Sequence, residues 1–168
     1  MAGNRNQGTT RFQPLRLRAE DAEDVTVLAA CLQDATLRCA DMTWQPQQHR
    51  FALVLNRFRW EDEGQADAKR GLIRIDPHVR VAAGLHFEGV LKVQTSGFDR
   101  RDGKAVLELL SIIAEPAGAD EEDPAATLTL VFAGGGAVRL EVECIDAHMQ
   151  DIGAPFPVRR APQHKVQD

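Results

Sequence analysis

The strongest structural signal in the chain lies in residues 128–153, LTLVFAGGGAVRLEVECIDAHMQDIG. Residues 138–142 alternate between apolar and charged side chains, which is the two-residue period of a half-buried strand. The glycines at 134–136 separate this strand from the apolar run before it. The stretch therefore predicts a β-hairpin that closes the core.

A change of period after this hairpin predicts a helix near the C-terminus. Ile145, Met149 and Ile152 share one face of a helix, and Gly153 with Pro155 would end it. We expect this amphipathic helix to cap one open side of the sheet.

A second helix is predicted near the N-terminus, directly after a short strand at 14–18. Asp21 has the character of an N-cap, and Asp24 stands three positions further on as an imperfect capping box. The helix should run to about Ala35. Its apolar stripe consists of Val25, Leu28, Ala29 and Leu32.

The rest of the chain reads mainly as strands with short connections. Consecutive strands joined in this way favour antiparallel pairing, and helices at the two ends indicate the α+β class. We predict one domain over 13–155, with a bent sheet or split barrel of the pleckstrin-homology-like type. The flanks would be a disordered tail at 1–12 and a basic tail at 156–168. The further strands are expected at 36–44, 51–60, 71–75, 79–82, 85–87, 90–93 and 106–113.

Composition is typical of a single cytoplasmic domain. The chain has 168 residues and 43% hydrophobic content, enough for one core. An odd number of cysteines, three, with no apparent secretory leader favours a reducing compartment. No stretch reaches the roughly 18 apolar residues of a membrane span, so we expect no membrane association.

The charge is unevenly distributed. Residues 1–18 carry a formal charge of +4 and residues 154–168 of +2, which leaves −11 for the intervening body within a net charge of −5. An acidic body repels phosphate backbones, so nucleic-acid binding across the domain is not expected.

Three blocks, at 22–35, 51–61 and 128–143, resemble an uncharacterised family of alphaproteobacterial proteins, the domain of unknown function DUF2948. The resemblance extends over most of the chain, from about residue 15 to residue 160. It implies a bacterial cytoplasmic protein of one domain. It implies no activity and no catalytic residues.

The residue patterns assemble no catalytic, cofactor or metal site. The glycines at 134–136 are followed by a strand rather than the Lys-Ser/Thr and helix of a phosphate-binding loop. The five histidines show no paired ligand spacing. Ser96 and Ser111, the two serines, stand in no nucleophile turn. We therefore predict no cofactor and no metal, and favour a protein without enzymatic activity.

The least ordinary polar set is Asn56, Arg57, Arg59 and Trp60. A guanidinium beside an aromatic ring suits recognition of an anion or a peptide. The alternative is that Trp60 closes one end of the core while the arginines pair with the acidic loop at 61–63.

A second candidate set is Arg159 and Arg160 in the C-terminal tail. Prolines on both sides favour an extended segment, and the two arginines could bind an acidic surface.

These observations favour a non-enzymatic binding or adaptor module. Its partner, an unidentified protein or a second copy of the chain, would bind at an exposed sheet edge or in the groove beside the C-terminal helix. Two alternatives stay open. One is a small-ligand-binding protein or enzyme with a pocket near Arg57 and Trp60, and the other is a homo-oligomeric structural protein.

Overall fold

A computed structural model describes residues 13–60 and 79–157, which form an open antiparallel sheet and one α-helix. The helix, α1, spans Ala22–Leu32. Two short 3₁₀ turns lie at Cys39–Asp41 and Pro46–Gln48. The strands are β1 (Arg16–Ala19), β2 (Thr36–Arg38), β3 (Met42–Gln45), β4 (Arg50–Phe58), β5 (Val79–Phe87), β6 (Val90–Ser96), β7 (Val106–Pro116), β8 (Ala126–Phe132), β9 (Ala137–Val142), β10 (Ala147–Asp151) and β11 (Phe156–Pro157).

The strand order is β1-β10-β5-β4-β2-β7-β8-β9-β6, with β3 on β4 and β11 on β5. We call β1, β10, β5, β4 and β3 the groove half, and β7, β8, β9 and β6 the hairpin half. Strand β2 joins them. The chain also crosses between the halves at residues 88–89 and 143–146, so the inner faces of both halves and of α1 share one core. The predicted antiparallel α+β arrangement is confirmed, and the described sheet does not close.

Helix α1 begins where the acidic residues predicted it. The Asp21 side chain accepts a hydrogen bond of 2.8 Å from the amide of Asp24, and Asp24 accepts one of 3.0 Å from the amide of Glu20. The first bond satisfies an amide that the first helical turn leaves without a partner, and the second fixes the residue before the N-cap. The helix ends at Leu32, three residues before the predicted end.

The glycine hairpin is also confirmed, as β8 and β9. Gly134 and Gly135 have φ of 85° and 92°, a region that residues with a Cβ atom adopt only under strain. The amide of Phe132 donates to the carbonyl of Gly136 at 2.8 Å and closes the turn.

The predicted C-terminal helix is wrong, because residues 147–151 form strand β10 between β1 and β5. Its inward residues are Ala147, Met149 and Asp151, and its outward residues include His148 and Gln150. A buried carboxylate at an inward position conceals the two-residue period. The pleckstrin-homology-like architecture, which relied on this capping helix, is not confirmed.

Several predictions lie outside the described residues. They are the tail at 1–12, the strand at 71–75, the loop at 61–63 and nearly all of the basic tail. Phe156–Pro157, at the start of that tail, pairs with β5 at Arg80 and Val79. In the described ranges no helix has the length and apolarity needed to cross a membrane.

Candidate functional site

The outer face of the groove half presents two rows of side chains across its strands. The register places Arg18 opposite His148, His148 opposite His86, and His86 opposite Ala52. Because successive residues of a strand point to opposite faces, residues two positions away form a second row on the same face. That row runs Arg16, Gln150, Gly84 and Val54.

A groove of about 620 Å³ lies over these two rows. Its volume falls in the range of small-molecule sites. Apolar surface comes from Val54 and Ile152, which are 45% and 58% exposed. The polar lining residues are Arg16, Arg18, Asp41, Thr43, His86, His148 and Gln150.

The depth of the groove comes from two small residues at its centre, Gly84 and Ala52. A Cβ atom built on Gly84 would approach only a methyl carbon of Ile152, at 3.9 Å, so open space lies above this glycine. Ala52 carries a single methyl group between His86 and Thr43. The larger side chains of His86, Gln150, Val54 and Ile152 form the walls.

His86 and His148 form a stacked pair in the wall of the groove. Their ring centroids lie 4.8 Å apart and their planes differ by 5°, which is parallel stacking. The two side chains are 39% and 36% exposed, so part of each ring faces solvent.

Each histidine is oriented by a carboxylate that also binds an arginine. His86 Nδ1 lies 2.9 Å from Glu88 Oε1, which accepts a bond of 2.6 Å from Arg50 Nε. His148 Nε2 lies 2.7 Å from Asp146 Oδ1, and Arg18 Nε lies 3.4 Å from the same oxygen. The carboxylate fixes one nitrogen of each ring as a donor.

That arrangement leaves Nε2 of His86 and Nδ1 of His148 available for a ligand. In a neutral imidazole these nitrogens accept hydrogen bonds, and in a protonated one they donate. A metal ion binds an imidazole nitrogen close to the plane of the ring, and one ion cannot lie in two parallel, separate ring planes, so the stacked pair does not fit shared metal coordination. Across 13–60 and 79–157, no group of three or more His, Cys, Asp or Glu residues could hold a metal ion.

The cationic side of the groove is strand β1. Arg18 lies 3.0 Å from Glu20 and also contacts Asp146, so two carboxylates share its charge. The Arg16 side chain forms no hydrogen bond or ion pair with another described residue and is exposed. The guanidinium of Arg16 is therefore the cation in the lining that a ligand can approach without displacing a partner.

A buried ion pair beneath the groove holds its strands together. Arg57 Nε donates to Asp151 Oδ1 and Arg57 Nη2 to Asp151 Oδ2, both at 2.8 Å, and neither side chain is exposed. The pair connects β4 to β10 across β5, where the small Ala83 lies opposite Asp151. Asp151 Oδ2 also accepts from the amide of Leu15 at 2.8 Å, and Asp151 donates its own amide to the Leu15 carbonyl at 3.0 Å.

The sequence-predicted residues do not converge on this groove. Arg57 points into the core, so its guanidinium is out of reach of a ligand in solvent. Asn56 points outward and lines a neighbouring depression of about 380 Å³. Trp60 Nε1 donates to the Gln33 carbonyl at 3.1 Å, and its ring packs at 5.3 Å from Phe58. Arg59 is half-buried and engaged in other contacts.

Arg159 and Arg160 lie outside the described residues. A further arginine near Trp60 contacts an aromatic ring. Arg80 stands 4.0 Å over the Phe58 ring and donates to Thr36 Oγ1 at 2.8 Å. Desolvation by burial lowers the pKa of Arg80, and the negative charges of Glu108 and Asp34 oppose that shift.

Sequence reasoning missed His86, His148, Arg16 and Gly84. No local spacing relates His86 to His148, because their proximity depends on the pairing of β5 with β10. The signal that pointed to them was a short alternation at 147–150, where His and Gln share the face opposite Met149, but the inward Asp151 interrupts it.

The described residues thus form an antiparallel α+β protein with a groove of ligand size on the outer face of its sheet. The family model for proteins of unknown function, DUF2948, matches residues 15–164. The chain belongs to this family, as its sequence blocks predicted. No curated protein and no solved structure matches the chain.

Proposed function

We propose that the protein is a binding module that holds a small organic ligand in the groove of its outer sheet face. The observation that most strongly supports this proposal is the open space above Gly84 and Ala52. This space is of ligand size and is lined by oriented polar side chains. Ligand sites commonly combine apolar surface with a few placed polar groups.

The groove lining offers polar contacts but, among the described residues, no nucleophile joined to a base, which favours binding over nucleophilic catalysis. Both histidines are fixed by carboxylates, yet the described residues of the groove lining include no Ser or Cys, and their one hydroxyl belongs to Thr43. Nucleophilic catalysis needs a nucleophile within hydrogen-bond reach of its base. No described hydrogen bond joins Thr43 to either histidine.

A filled-groove variant tests the proposal. Gly84→Phe places a ring in the open space, and the φ of Gly84 lies outside the region that penalises side chains. The matched control is Thr129→Phe on the outer face of β8, at the centre of the hairpin half. A ligand at 100 times its Kd raises stability by about 2.7 kcal/mol.

We expect a thermal-shift screen of metabolites to give a compound that raises the Tm of the wild type and of Thr129→Phe but not of Gly84→Phe. Compounds that stabilise all three proteins equally would place binding elsewhere. A screen with no stabilising compound would also contradict the proposal.

Self-association is a second candidate, favoured by strand β6. In the described sheet β6 is an end strand that pairs only with β9, and Leu91 on it is 52% exposed. Edge strands of this kind can pair with another copy. We expect light scattering to show a dimer that Leu91→Lys weakens. A wild-type monomer at high concentration would exclude this candidate.

A further inference from the structure

We infer that the ligand is an amphipathic organic anion, a carboxylate or a phosphate monoester that also carries a flat ring. This inference rests on the proposed function of the groove. Three features of the outer face support this chemistry. They are the accessible guanidinium of Arg16, the free face of the stacked histidines, and the carboxylate of Asp41 on the far side.

The anionic group is placed by Arg16. This residue lies on the end strand β1, opposite Gln150, and its guanidinium is not engaged by another described residue. A guanidinium presents paired donors that match the two oxygens of a carboxylate or phosphate. The Gln150 side chain, also exposed and facing the groove, adds an amide donor beside it.

The flat ring is placed by His86. Its row continues from His148 to His86 and then to Ala52, where the single methyl group leaves a gap beside the imidazole. A planar group above Ala52 would add a third ring to the histidine stack. Val54, two positions along β4 on the same face, would provide apolar surface beside it. Two aromatic rings gain from stacking beyond the area that they bury, and a saturated ring, which has no π-system, lacks that gain.

The spacing of the strands sets the length of the ligand. Ala52, where the ring lies, and Arg16 are three strand steps apart, roughly 14 Å across the sheet. The extended Arg16 side chain covers much of that distance, so a ring with a two- or three-carbon linker to the anion would fit. Asp41 borders the groove at its β3 side and would repel a second negative charge there.

The experiment is an NMR titration of the full-length protein with 3-phenylpropanoate. Three probes of similar size vary one feature each: phenethyl phosphate changes the anion, 3-phenylpropanamide removes the charge, and 3-cyclohexylpropanoate removes the flat ring. The variants are Arg16→Gln, Gly84→Leu and, as a control, Arg139→Gln, which removes an exposed arginine from the outer face of β9.

We expect 3-phenylpropanoate or phenethyl phosphate to shift the imidazole signals of His86 and His148 in a saturable way. Loss of the charge-assisted bond in the amide, or in Arg16→Gln, should weaken binding about tenfold or more. Arg139→Gln should bind as the wild type does, and Gly84→Leu should not bind. Of the two anions, the tighter one identifies the source as a carboxylate or a phosphate ester.

Other results overturn the inference in distinguishable ways. Equal binding of the amide, or unchanged binding by Arg16→Gln, refutes the anion while loss in Gly84→Leu still supports the groove. Equal binding of the cyclohexyl probe refutes the stacked ring. Binding that survives Gly84→Leu refutes the groove itself. Absence of saturable shifts up to about 10 mM refutes the ligand class.

Discussion

The buried pair of Arg57 and Asp151 makes the strongest stability prediction. Neither side chain is exposed, so Asp151→Ala leaves a guanidinium in the core without its counter-charge. Breaking a buried pair in this way costs about 3–5 kcal/mol. The amide of Leu15 loses its acceptor as well, which favours the upper part of that range.

A double variant separates the charge effect from packing. With Arg57→Met and Asp151→Leu together, neither position carries a buried charge, and such replacements can be nearly neutral. We expect the double variant to be only about 1–2 kcal/mol less stable than the wild type, because the Leu15 amide still lacks a partner. The single variant Asp151→Leu should be clearly less stable than the double variant.

Urea unfolding followed by tryptophan fluorescence measures these differences. The control is Arg50→Gln, which removes a partly exposed pair with Glu88 and should cost about 1 kcal/mol or less. A cost below about 1 kcal/mol for Asp151→Ala would refute the reasoning. The reasoning would also be refuted if the destabilisation of the double variant equalled the sum of the losses in Arg57→Met and Asp151→Leu, because that would show no coupling between the two side chains.

Three smaller predictions concern turns and caps. Gly135→Ala should lower the free energy of unfolding by about 1–2 kcal/mol, because φ is 92° there; urea unfolding measures it, and an unchanged midpoint would contradict the strain. Asp21→Ala should cost about 1 kcal/mol through loss of the bond to Asp24, and Asp21→Asn should restore most of it. Hydrogen bonds from the amides of Ala125 and Ala119 lower the pKa of Asp123, so its contribution to loop stability is complete above the ordinary carboxyl pKa and lost as pH falls through the lowered one. An NMR titration should place its midpoint below that of an ordinary aspartate, and a midpoint at or above it would be contrary.

The elements with local signals could be predicted from the sequence. The acids before Val25 predict a helix cap and the glycines after Phe132 predict a hairpin, and both are present. Strand β10 could not be predicted in the same way. Its inward Asp151 is buried only because Arg57, 94 residues away in the chain, lies under the same sheet.

The groove could not be predicted either, because it also depends on contacts between residues that are distant in the sequence. It is built by pairing β1, β10, β5 and β4 side by side, and its depth comes from small residues whose neighbours are set by register. Arg57 looked like a surface cation because arginine is rarely fully buried. In the structure it lies under the groove half, while the less conspicuous Arg16 lies on the outer face.

The ion pair also connects the core to the groove. Asp151 fixes Leu15 through two backbone contacts, and the next residue in the chain is Arg16. Gln150 and Ile152, the residues on either side of Asp151 in the chain, line the groove. Loss of Asp151 should therefore loosen the cationic side of the site as well as lower global stability.

A crystal structure of the protein with 3-phenylpropanoate or phenethyl phosphate tests the central claim most directly. The account predicts the phenyl ring above Gly84 and Ala52, against His86, with the anion within hydrogen-bond distance of the Arg16 guanidinium. Ligand density anywhere else on the molecule, with the space over Gly84 filled by solvent, would contradict it.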